Sequence, residues 1–297
     1  MTLFSHLTEK TAGKMSLSDE DRISHIKKQR WITYSKANEL LDKLEDLLNH
    51  PSQARMPNML IIGETNNGKT MLVNRFRDKH PPQENVGGEA VIIPVLYIQA
   101  PPSPDERGIY NAILTRLFEP YARSEATDAK RDRVVSILKR VQLGMIMIDE
   151  VQHLLAGTYT KQRNCLNALK YLGNELCIPI VGIGTSEAIR AVQTDPQLAN
   201  RFVPELLPKW SMSRDFIRLL MSFERVLPLR EPSRLDSPAL AENILMLSSG
   251  TIGEVSTLLN QAAIYSIKTK EERITLEILK NCGYVSPLDR KQAASRL

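Results

Sequence analysis

The stretch Gly63-Glu64-Thr65-Asn66-Asn67-Gly68-Lys69-Thr70 stands directly behind the apolar run Met59-Leu60-Ile61-Ile62. It matches the phosphate-binding pattern G-x-x-x-x-G-K-[ST] at every fixed position, and an amphipathic segment beginning at Met71 follows it. In this pattern backbone N–H groups surround a β-phosphate, Lys69 adds positive charge, and the Thr70 hydroxyl binds Mg²⁺. The helix N-terminus adds its dipole. A glycine-containing turn is the alternative, but the flanking segments favour ATP binding by all eight residues and Met71.

The composition excludes several other classes of protein. The chain has 297 residues, 42% of them hydrophobic and 25% charged, which is ordinary for a soluble globular protein. Its apolar runs are far shorter than the roughly twenty residues that cross a bilayer, and the N-terminus lacks a signal-like pattern. Three cysteines without C-x-x-C spacing argue against a disulfide framework or a zinc site. We expect a cytoplasmic protein without a membrane partner, and its net charge of +5 permits a polyanionic one.

Four short apolar segments alternate with helical patterns, namely 59–62, 91–98, 145–149 and 178–184. Such alternation predicts a parallel sheet flanked by helices, with the phosphate-loop strand placed centrally and nucleotide at the carboxyl ends of the strands. Beyond Trp210 the patterns are helical only. The expected fold class is therefore α/β with a small α-helical lid. The expected limits are 1–50 for an N-terminal extension and helix, 51–211 for the core, 212–285 for the lid and 286–297 for a tail. The polar residues up to about 30 are interpreted as an arm or a solvated helix face.

A second motif, Met145-Ile146-Met147-Ile148-Asp149-Glu150, places two acids at the end of an apolar strand. Asp149 would bind nucleotide-associated Mg²⁺ together with Thr70, and Glu150 would orient the water that attacks the γ-phosphate. A buried strand that ends in two solvated acids is the alternative. The phosphate-binding pattern earlier in the chain favours the hydrolytic interpretation.

Two further polar residues extend the candidate catalytic set. Thr185 follows Gly182-Ile183-Gly184 at the end of the fourth apolar segment. Its hydroxyl would contact the γ-phosphate, and a helix N-cap is the alternative. Arg201, in Leu198-Ala199-Asn200-Arg201-Phe202, is expected at the end of a helix, before another extended segment. It would act as an arginine finger toward a neighbouring subunit, unless it only interacts with the helix dipole.

These motifs in this order resemble the AAA+ ATPases, and more specifically the TniB branch of transposition ATPases, relatives of TnsC. The resemblance covers about residue 20 to 280 and rests on further segments. Besides the phosphate loop these are Arg30-Trp31-Ile32-Thr33-Tyr34, Arg55-Met56-Pro57-Asn58, Asp149-Glu150-Val151-Gln152-His153-Leu154-Leu155-Ala156-Gly157, Leu172-Gly173-Asn174-Glu175-Leu176 and Leu227-Pro228-Leu229-Arg230. The resemblance implies an ATP- and Mg²⁺-dependent AAA+ core with a helical lid. It also implies a homo-oligomer on duplex DNA that connects a TniQ-type target selector to a DDE transposase of the TniA/TnsB type.

One position departs from the general AAA+ pattern. The lid segment Ser249-Gly250-Thr251-Ile252-Gly253-Glu254 carries an acid where many superfamily members have a second sensing arginine. A carboxylate cannot donate a hydrogen bond to a phosphate. Two hypotheses follow: the lid contacts nucleotide in another way, or hydrolysis is slow and acts as a timer.

The resemblance implies that DNA is contacted mainly at phosphates, which requires Lys, Arg and hydroxyl donors. The candidates are Arg123, Lys130 and Arg131 in one cluster, and Thr158 and Lys161 in another. An ordinary solvated surface is the alternative for each. Two other functions remain open: a helicase loader or initiator-like ATPase, and a nucleotide-switch scaffold with negligible hydrolysis.

Overall fold

A computed structural model describes residues 4–88, 90–155, 157–193 and 200–295. These residues form two compact units. The α/β unit contains the described parts of Glu39–Thr65 and Lys69–Leu207, and the helical unit contains the residues up to Asn38, the segment Asn66–Gly68 and the residues from Pro208 onward. The division at 50, 211 and 285 stays a prediction. In the structure the N-terminal residues cluster with the helices that follow Pro208.

The α/β unit contains a five-stranded sheet. Its strands are β1 (Asn58–Gly63), β2 (Val95–Gln99), β3 (Met145–Asp149), β4 (Ile180–Gly184) and β5 (Phe202–Leu207). They pair in parallel in the order β2-β3-β4-β1-β5, so the parallel α/β fold expected from the alternating patterns is confirmed. The middle strand is β4, and β1 lies between β4 and β5 because the segment after Arg201 adds a fifth strand.

The described residues contain helices of both units, including one, Pro287–Ala294, in the stretch expected to be a tail. They are α1 (Glu9–Ala12), α2 (Asp19–Lys27), α3 (Ser35–Leu48), α4 (Lys69–Lys79), α5 (Glu106–Arg116), α6 (Thr127–Arg140), α7 (Tyr159–Leu176), α8 (Ser186–Gln193), α9 (Arg214–Glu224), α10 (Pro238–Ser248), α11 (Ile252–Thr269), α12 (Leu276–Asn281) and α13 (Pro287–Ala294), with a 3₁₀ helix at Val151–Leu155. None of them combines the length and apolar character that a membrane span requires.

The strand expected at 91–98 is shorter in the structure, because Ile92 pairs instead with Gln83 in an isolated antiparallel bridge. Pro94 separates the two pairings. It has no N–H to donate to a ladder, while its carbonyl accepts a hydrogen bond from Gly144 at 3.1 Å. The strand β2 therefore starts at Val95 and runs beside β3.

Each unit has its own hydrophobic core. In the α/β unit, side chains such as Leu60 and Ile146 are buried with residues of α5, α6 and α7. In the helical unit, Ile26 of α2 is buried with Phe216 and Leu258. The polar N-terminal segment is therefore not simply an arm, because one face of α2 belongs to this core.

The buried guanidinium of Arg22 explains why α2 can be both polar and buried. Its side chain has 0% exposure and donates to both carboxylate oxygens of Glu272, at 2.8 and 2.6 Å. It also donates to Asp19 at 2.6 Å and to the Pro228 carbonyl at 3.0 Å. Two-pronged pairing of this kind satisfies a charge that would otherwise be costly to bury.

Candidate functional site

The phosphate loop begins where β1 ends. Gly63 is the last residue of β1, and a Cβ atom at this position would lie 3.0 Å from the Leu207 carbonyl oxygen and 3.2 Å from the Leu207 Cβ. The close approach of β5 therefore explains the first glycine of the pattern. The carboxyl ends of β1 and β4 lie side by side, with Ile62 opposite Gly184. Polar groups that follow these strands consequently meet at one edge of the sheet.

Lys69 opens α4 and turns its ammonium group back onto the loop. Its Nζ donates to the Gly63 carbonyl at 2.8 Å and to the Glu64 carbonyl at 2.9 Å. Burial lowers the pKa of Lys69, and the negative charges of Glu150, Asp149 and Glu64 oppose that shift. A buried cation held by backbone carbonyls can exchange them for phosphate oxygens, which are stronger acceptors.

Asp149 lies at the end of β3 and is engaged through both carboxylate oxygens. Oδ2 accepts hydrogen bonds from the Thr70 hydroxyl and the Tyr97 hydroxyl, each at 2.8 Å. Oδ1 accepts the backbone N–H of Glu150 at 2.9 Å. The Thr70 and Asp149 oxygens are thus separated about as far as neighbouring ligands of an octahedral Mg²⁺ ion, which lie about 2.9 Å apart. This donor set fits the ion expected from the sequence.

Tyr97 is a site residue that the sequence reasoning missed. Burial raises the pKa of its hydroxyl, and the hydrogen bond to Asp149 raises it further, so the group stays a donor. The only signal in the sequence is a hydroxyl in the otherwise apolar run Val95-Leu96-Tyr97-Ile98. The register that brings β2 beside β3 makes the contact, and such a register cannot be read from one strand alone.

Glu150 adopts a backbone conformation with φ of 54°, in the left-handed region that residues other than glycine rarely occupy. Its carbonyl accepts the His153 N–H at 2.9 Å, which closes the turn into the 3₁₀ helix. The side chain of Gln152 donates to the Glu150 carboxylate. Unusual backbone conformations of this kind concentrate at functional sites.

Thr185 follows β4 and precedes α8. Its hydroxyl oxygen is buried and has no hydrogen-bond partner within the described part of the chain. A helix N-cap would accept an N–H of the first turn through that oxygen, so the side chain is not acting as a cap here. Its backbone N–H donates to Gln152 at 3.3 Å. A buried orphan hydroxyl beside the ends of β1 and β3 is a fitting contact for a ligand oxygen.

Arg201 lies apart from these groups, at the opposite edge of the sheet. Its carbonyl accepts the N–H of Asn58, the first residue of β1, at 2.9 Å. At about 3.3 Å per residue, β1 places roughly 17 Å between that position and Gly63. The guanidinium donates to Asn174 at 2.9 Å. The residues before Asn200 that were expected to form the end of a helix, 194–199, lie outside the described residues.

The tip of the phosphate loop, Asn66–Gly68, belongs to the helical unit. Its residues are hydrogen-bonded to other residues of that unit. Asn66 and Gly68 have φ values of 61° and 84°. The Asn66 carbonyl accepts the Gly253 N–H at 3.0 Å, and Asn67 donates to the Pro208 carbonyl at 3.0 Å. A Cβ on Gly68 would lie 3.1 Å from the Ile252 side chain, so the second fixed glycine is required both by its backbone and by this approach.

Glu254 takes part in the same contact. Its Oε1 accepts from the Asn66 side chain at 3.0 Å, and its Oε2 accepts from Tyr284 at 2.6 Å and Arg290 at 2.5 Å. Burial raises the pKa of Glu254, but the bonds from Arg290, Tyr284 and Asn66 outweigh it and leave the pKa below its usual value. The acid therefore binds the phosphate loop itself, in the region where a phosphate-sensing arginine was the general expectation.

The DNA candidates differ in how much of each side chain is free. Lys130 has 0% exposure, donates to Asn111 at 2.8 Å and lies over the Tyr121 ring. Arg131 pairs with two neighbouring acids and stacks on Tyr171. Arg123, Thr158 and Lys161 are exposed. The Lys130 ammonium has no surface to offer a phosphate, because its bonds are made inside the protein.

The remaining predicted contacts take ordinary positions on the loop and the following helix. Thr65 is exposed, and Met71 is partly buried in the first turn of α4. Of the predicted catalytic and metal residues, Thr70, Asp149, Glu150 and Thr185 are connected by direct hydrogen bonds or through Gln152. Lys69, predicted to bind nucleotide, interacts electrostatically with Asp149 and Glu150. No group of three or more His, Cys, Asp or Glu side chains in the described residues could hold a metal ion by itself.

The structure resembles several solved structures. It matches the Aeropyrum pernix ORC2 protein in ADPNP–ADP complexes with a TM-score of 0.61 and 17% identity, covering 87% of this chain and 70% of that one. The A. pernix ORC1 protein in complex with DNA gives a TM-score of 0.54 and 18% identity, covering 83% and 63%, so the chain spans less than two thirds of that protein. The Thermotoga maritima RuvB Holliday junction branch migration motor gives a TM-score of 0.52 and 15% identity, covering 91% of this chain and 79% of that one.

At these identities the similarity establishes the fold, which is that of the AAA+ proteins. No curated protein matches the chain. The sequence model of the TniB family, described as "Bacterial TniB protein", matches residues 22–212. This match spans more than half of the 297 residues and contains the phosphate loop, Asp149, Glu150, Thr185 and Arg201. The chain belongs to the TniB family.

Proposed function

We propose that the protein is an AAA+ ATPase that hydrolyses ATP with Mg²⁺ and regulates DNA transposition. The observation that carries the proposal is the meeting of Lys69, Thr70, Asp149 and Glu150 beside the orphan hydroxyl of Thr185. Two acids, a cation and an unsatisfied hydroxyl at one edge of a parallel sheet suit a triphosphate and its metal. A merely structural polar cluster would have no reason to leave that hydroxyl without a partner.

In this proposal the residues Gly63–Thr70 and Met71 bind ATP, and Lys69 exchanges the loop carbonyls for phosphate oxygens. Mg²⁺, held by Thr70 and Asp149, would neutralise charge on the β- and γ-phosphates. Glu150 orients the attacking water and accepts its proton. Thr185 donates a hydrogen bond from its hydroxyl to the γ-phosphate, and among the described residues that hydroxyl has no other partner to give up.

We place Arg201 in the site of a neighbouring copy of the chain. The length of β1 separates this residue from the phosphate loop of its own α/β unit, which exceeds the reach of an arginine side chain. A finger that stabilises transition-state charge must touch the transferred phosphoryl group. The active form is consequently a homo-oligomer whose sites are completed by a second subunit, in a ring or a helical filament.

We propose duplex DNA as the surface on which the cytoplasmic protein assembles, with contacts mainly to phosphates. The TniB membership supports this proposal, as does the structural similarity to an ORC1 protein solved with DNA. Arg123, Arg131, Thr158 and Lys161 are the candidate contacts, and the buried Lys130 is left out. The family resemblance further suggests a TniQ-like target selector and a DDE transposase of the TniA/TnsB type as partners.

A mixing experiment tests the shared site. Lys69→Ala should lose nearly all ATP turnover because it lacks the cation that binds the phosphates. Arg201→Ala should lose nearly all of it as well, since an arginine finger contributes about 10³- to 10⁵-fold to the rate. An equal mixture should regain about a quarter of wild-type turnover, because random neighbours in a cyclic or helical assembly give that share of intact interfaces. Full activity of Lys69→Ala alone would refute the phosphate loop as the ATPase site, and full activity of Arg201→Ala alone would refute only the finger. Absence of turnover in the wild-type protein would refute the ATPase proposal itself.

The similarity to ORC proteins favours one second candidate, a helicase loader or initiator-like ATPase. The two functions predict different partners. Affinity capture of the tagged protein on DNA with ATP, in cells that carry the whole transposable element, should recover the TniQ-like protein and the transposase. Recovery of a replicative helicase in their place would support the loader.

A further inference from the structure

We propose that Gln152 is a positioning residue for ATP hydrolysis: its side-chain amide links the Glu150 carboxylate to the backbone of Thr185. The inference rests on the proposed ATPase function and assigns a role to a residue that the phosphate-site motifs do not include. It adds a connection between the water-activating acid and the residue that contacts the γ-phosphate.

The two ends of the amide have different partners. Nε2 donates to Oε2 of Glu150, and Oε1 accepts the Thr185 N–H at 3.3 Å. A primary amide carries a donor and an acceptor on one rigid plane, which allows it to connect a carboxylate to an N–H group. The opposite orientation of the amide would set an oxygen against a carboxylate and an NH₂ against an N–H, so the chemistry of the partners decides it.

The end of β4 is shaped to admit this amide. A Cβ on Gly184 would lie 2.5 Å from the Gln152 Oε1 and 3.1 Å from the Val151 Cγ1. At Gly182, by contrast, a Cβ would crowd the Leu60 Cδ1 at 2.9 Å and meet Val151 only at the ordinary contact distance of 3.4 Å. It is therefore Gly184 that lets the 3₁₀ helix carrying Gln152 approach the strand closely enough to reach the Thr185 backbone.

Glu150 depends on this support because little else orients its carboxylate. Its left-handed backbone is fixed by the turn that ends at His153, but the turn leaves the terminal oxygens free to rotate. Gln152 is the side chain that donates to them among the described residues. Removing the amide should therefore misplace the oxygen that receives the proton, without disturbing the Lys69 and Thr70 contacts.

The test is a steady-state kinetic comparison of full-length variants on duplex DNA with ATP and Mg²⁺. Gln152→Met keeps the length of the side chain and removes both hydrogen bonds. We expect kcat to fall about 10- to 100-fold, the scale of a misplacement of about 1 Å, with KM and the affinity for a fluorescent ATP analogue changed less than about 2-fold. Gln152→Glu keeps the acceptor but places a second carboxylate beside Glu150, and should lose at least as much.

The matched control is Gln162→Met in α7, a glutamine whose side chain, within the described residues, donates to the Gly157 carbonyl at 3.0 Å and not to Glu150 or Thr185. It should retain wild-type kcat. The decisive measurement is a double variant: if Gln152 acts through Glu150, adding Gln152→Met to Glu150→Gln should cost no further activity. A multiplicative loss would show an independent, structural effect and overturn the inference.

The remaining outcomes separate the inference from the function on which it rests. Wild-type kcat in Gln152→Met, together with loss of turnover in Glu150→Gln, would overturn the inference and leave the ATPase intact. Absence of turnover in the wild-type protein would overturn both. If Gln152→Met does not fold, Gly184→Ala tests the same contact by pressing a methyl group against the amide, with Gly173→Ala, whose Cβ would meet nothing nearer than 3.4 Å, as its control.

Discussion

The two compact units use their acidic residues in different ways. In the α/β unit, the Glu150 carboxylate is held by one neutral amide and sits on a strained backbone. In the helical unit, Glu254 is 8% exposed and accepts from a neutral amide, a hydroxyl and the guanidinium of Arg290. Glu272 is likewise paired with Arg22.

The difference is the one expected between an acid that takes part in a reaction and an acid that stabilises the fold. An acid that must accept a proton cannot be tightly ion-paired, because an ion pair lowers its basicity. An acid that holds a loop or a helix in place gains from such pairing, because an unpaired buried charge is costly. This contrast suits the general-base role that we propose for Glu150 and a structural role for Glu254 and Glu272.

The largest effect is expected on ATP turnover when Glu150 is replaced. Glu150→Gln should lower ATP turnover about 10²- to 10⁴-fold, the usual contribution of a general base, while ATP binding and ATP-dependent assembly on DNA persist. Steady-state ATPase rates and the lifetime of the DNA-bound assembly measure this. Disassembly at the wild-type rate would contradict the hydrolytic role of Glu150.

A comparably large effect, on stability rather than turnover, is expected in the helical unit. Arg22→Met removes the two-pronged partner of the Glu272 carboxylate and leaves it, as a cationic partner among the described residues, only the longer contact with the half-exposed Arg230 guanidinium, at 3.5 Å. The free energy of unfolding should fall by about 3–5 kcal/mol. Urea denaturation of purified protein measures it. Lys139→Met is the control, because it breaks an exposed pair with Glu175 and should cost less than about 1 kcal/mol. Equal losses in the two variants would show that burial is not what makes the Arg22 pair important.

A smaller effect is expected from Glu254→Gln. The variant keeps the shape of the side chain but weakens three hydrogen bonds to a charged group, each of which contributes about 1.5–3 kcal/mol at most. We expect ATP affinity to fall less than about 10-fold through the loosened Asn66, with kcat nearly unchanged. The exposed Glu242→Gln on α10 is the control in a titration with a fluorescent nucleotide. A loss of kcat as large as that of Glu150→Gln would end the distinction between the two acids.

The smallest effect is expected on the dependence of stability on pH. Hydrogen bonds from Lys270 and Arg22 lower the pKa of Asp19 from 3.8 to about 2. Burial raises the pKa of Glu272, but Arg22 and Arg230 lower it more, to below its usual 4.5. Because both folded-state values are depressed, this stabilisation is complete above about pH 5 and is lost as the pH falls through the folded pKa values. Thermal melts between pH 6 and pH 3, the range in which carboxyl groups of the unfolded chain begin to bind protons, should show a smaller loss of stability on acidification in Arg22→Met than in the wild-type protein. An unchanged slope would contradict the pairing.

Sequence patterns predicted the parallel sheet and most helices because each depends on periodicity within one segment. The strand Met145–Asp149 and the helix Pro238–Ser248 occur as expected. The patterns placed β1 at the centre and extended β2 to residue 91, since strand order and the effect of Pro94 depend on neighbours in space. Lys130 was a plausible DNA contact by composition, but its ammonium is bonded to Asn111.

The site divides in the same way. Lys69 and Thr70 were predicted as site residues from the fixed spacing of one motif, and Asp149 and Glu150 from two acids at the end of an apolar strand. Tyr97, Gln152 and the contacts of Glu254 were not, because each acts on a residue from another element. Apart from the isolated hydroxyl of Tyr97 in an apolar run, residue identity gives no signal for such contacts.

By itself the sequence determined that this chain has an α/β phosphate-loop core and which residues carry the charge and hydroxyl groups of its site. Those properties follow from local periodicity and from a motif whose residues have a fixed spacing. Only the tertiary structure decided that Glu150 is held by an amide while Glu254 is neutralised by partners, and that Arg201 lies away from its own phosphate loop. Both positions are simply glutamate in the sequence. Their burial and their hydrogen-bond partners, which distinguish them chemically, exist only in the folded chain.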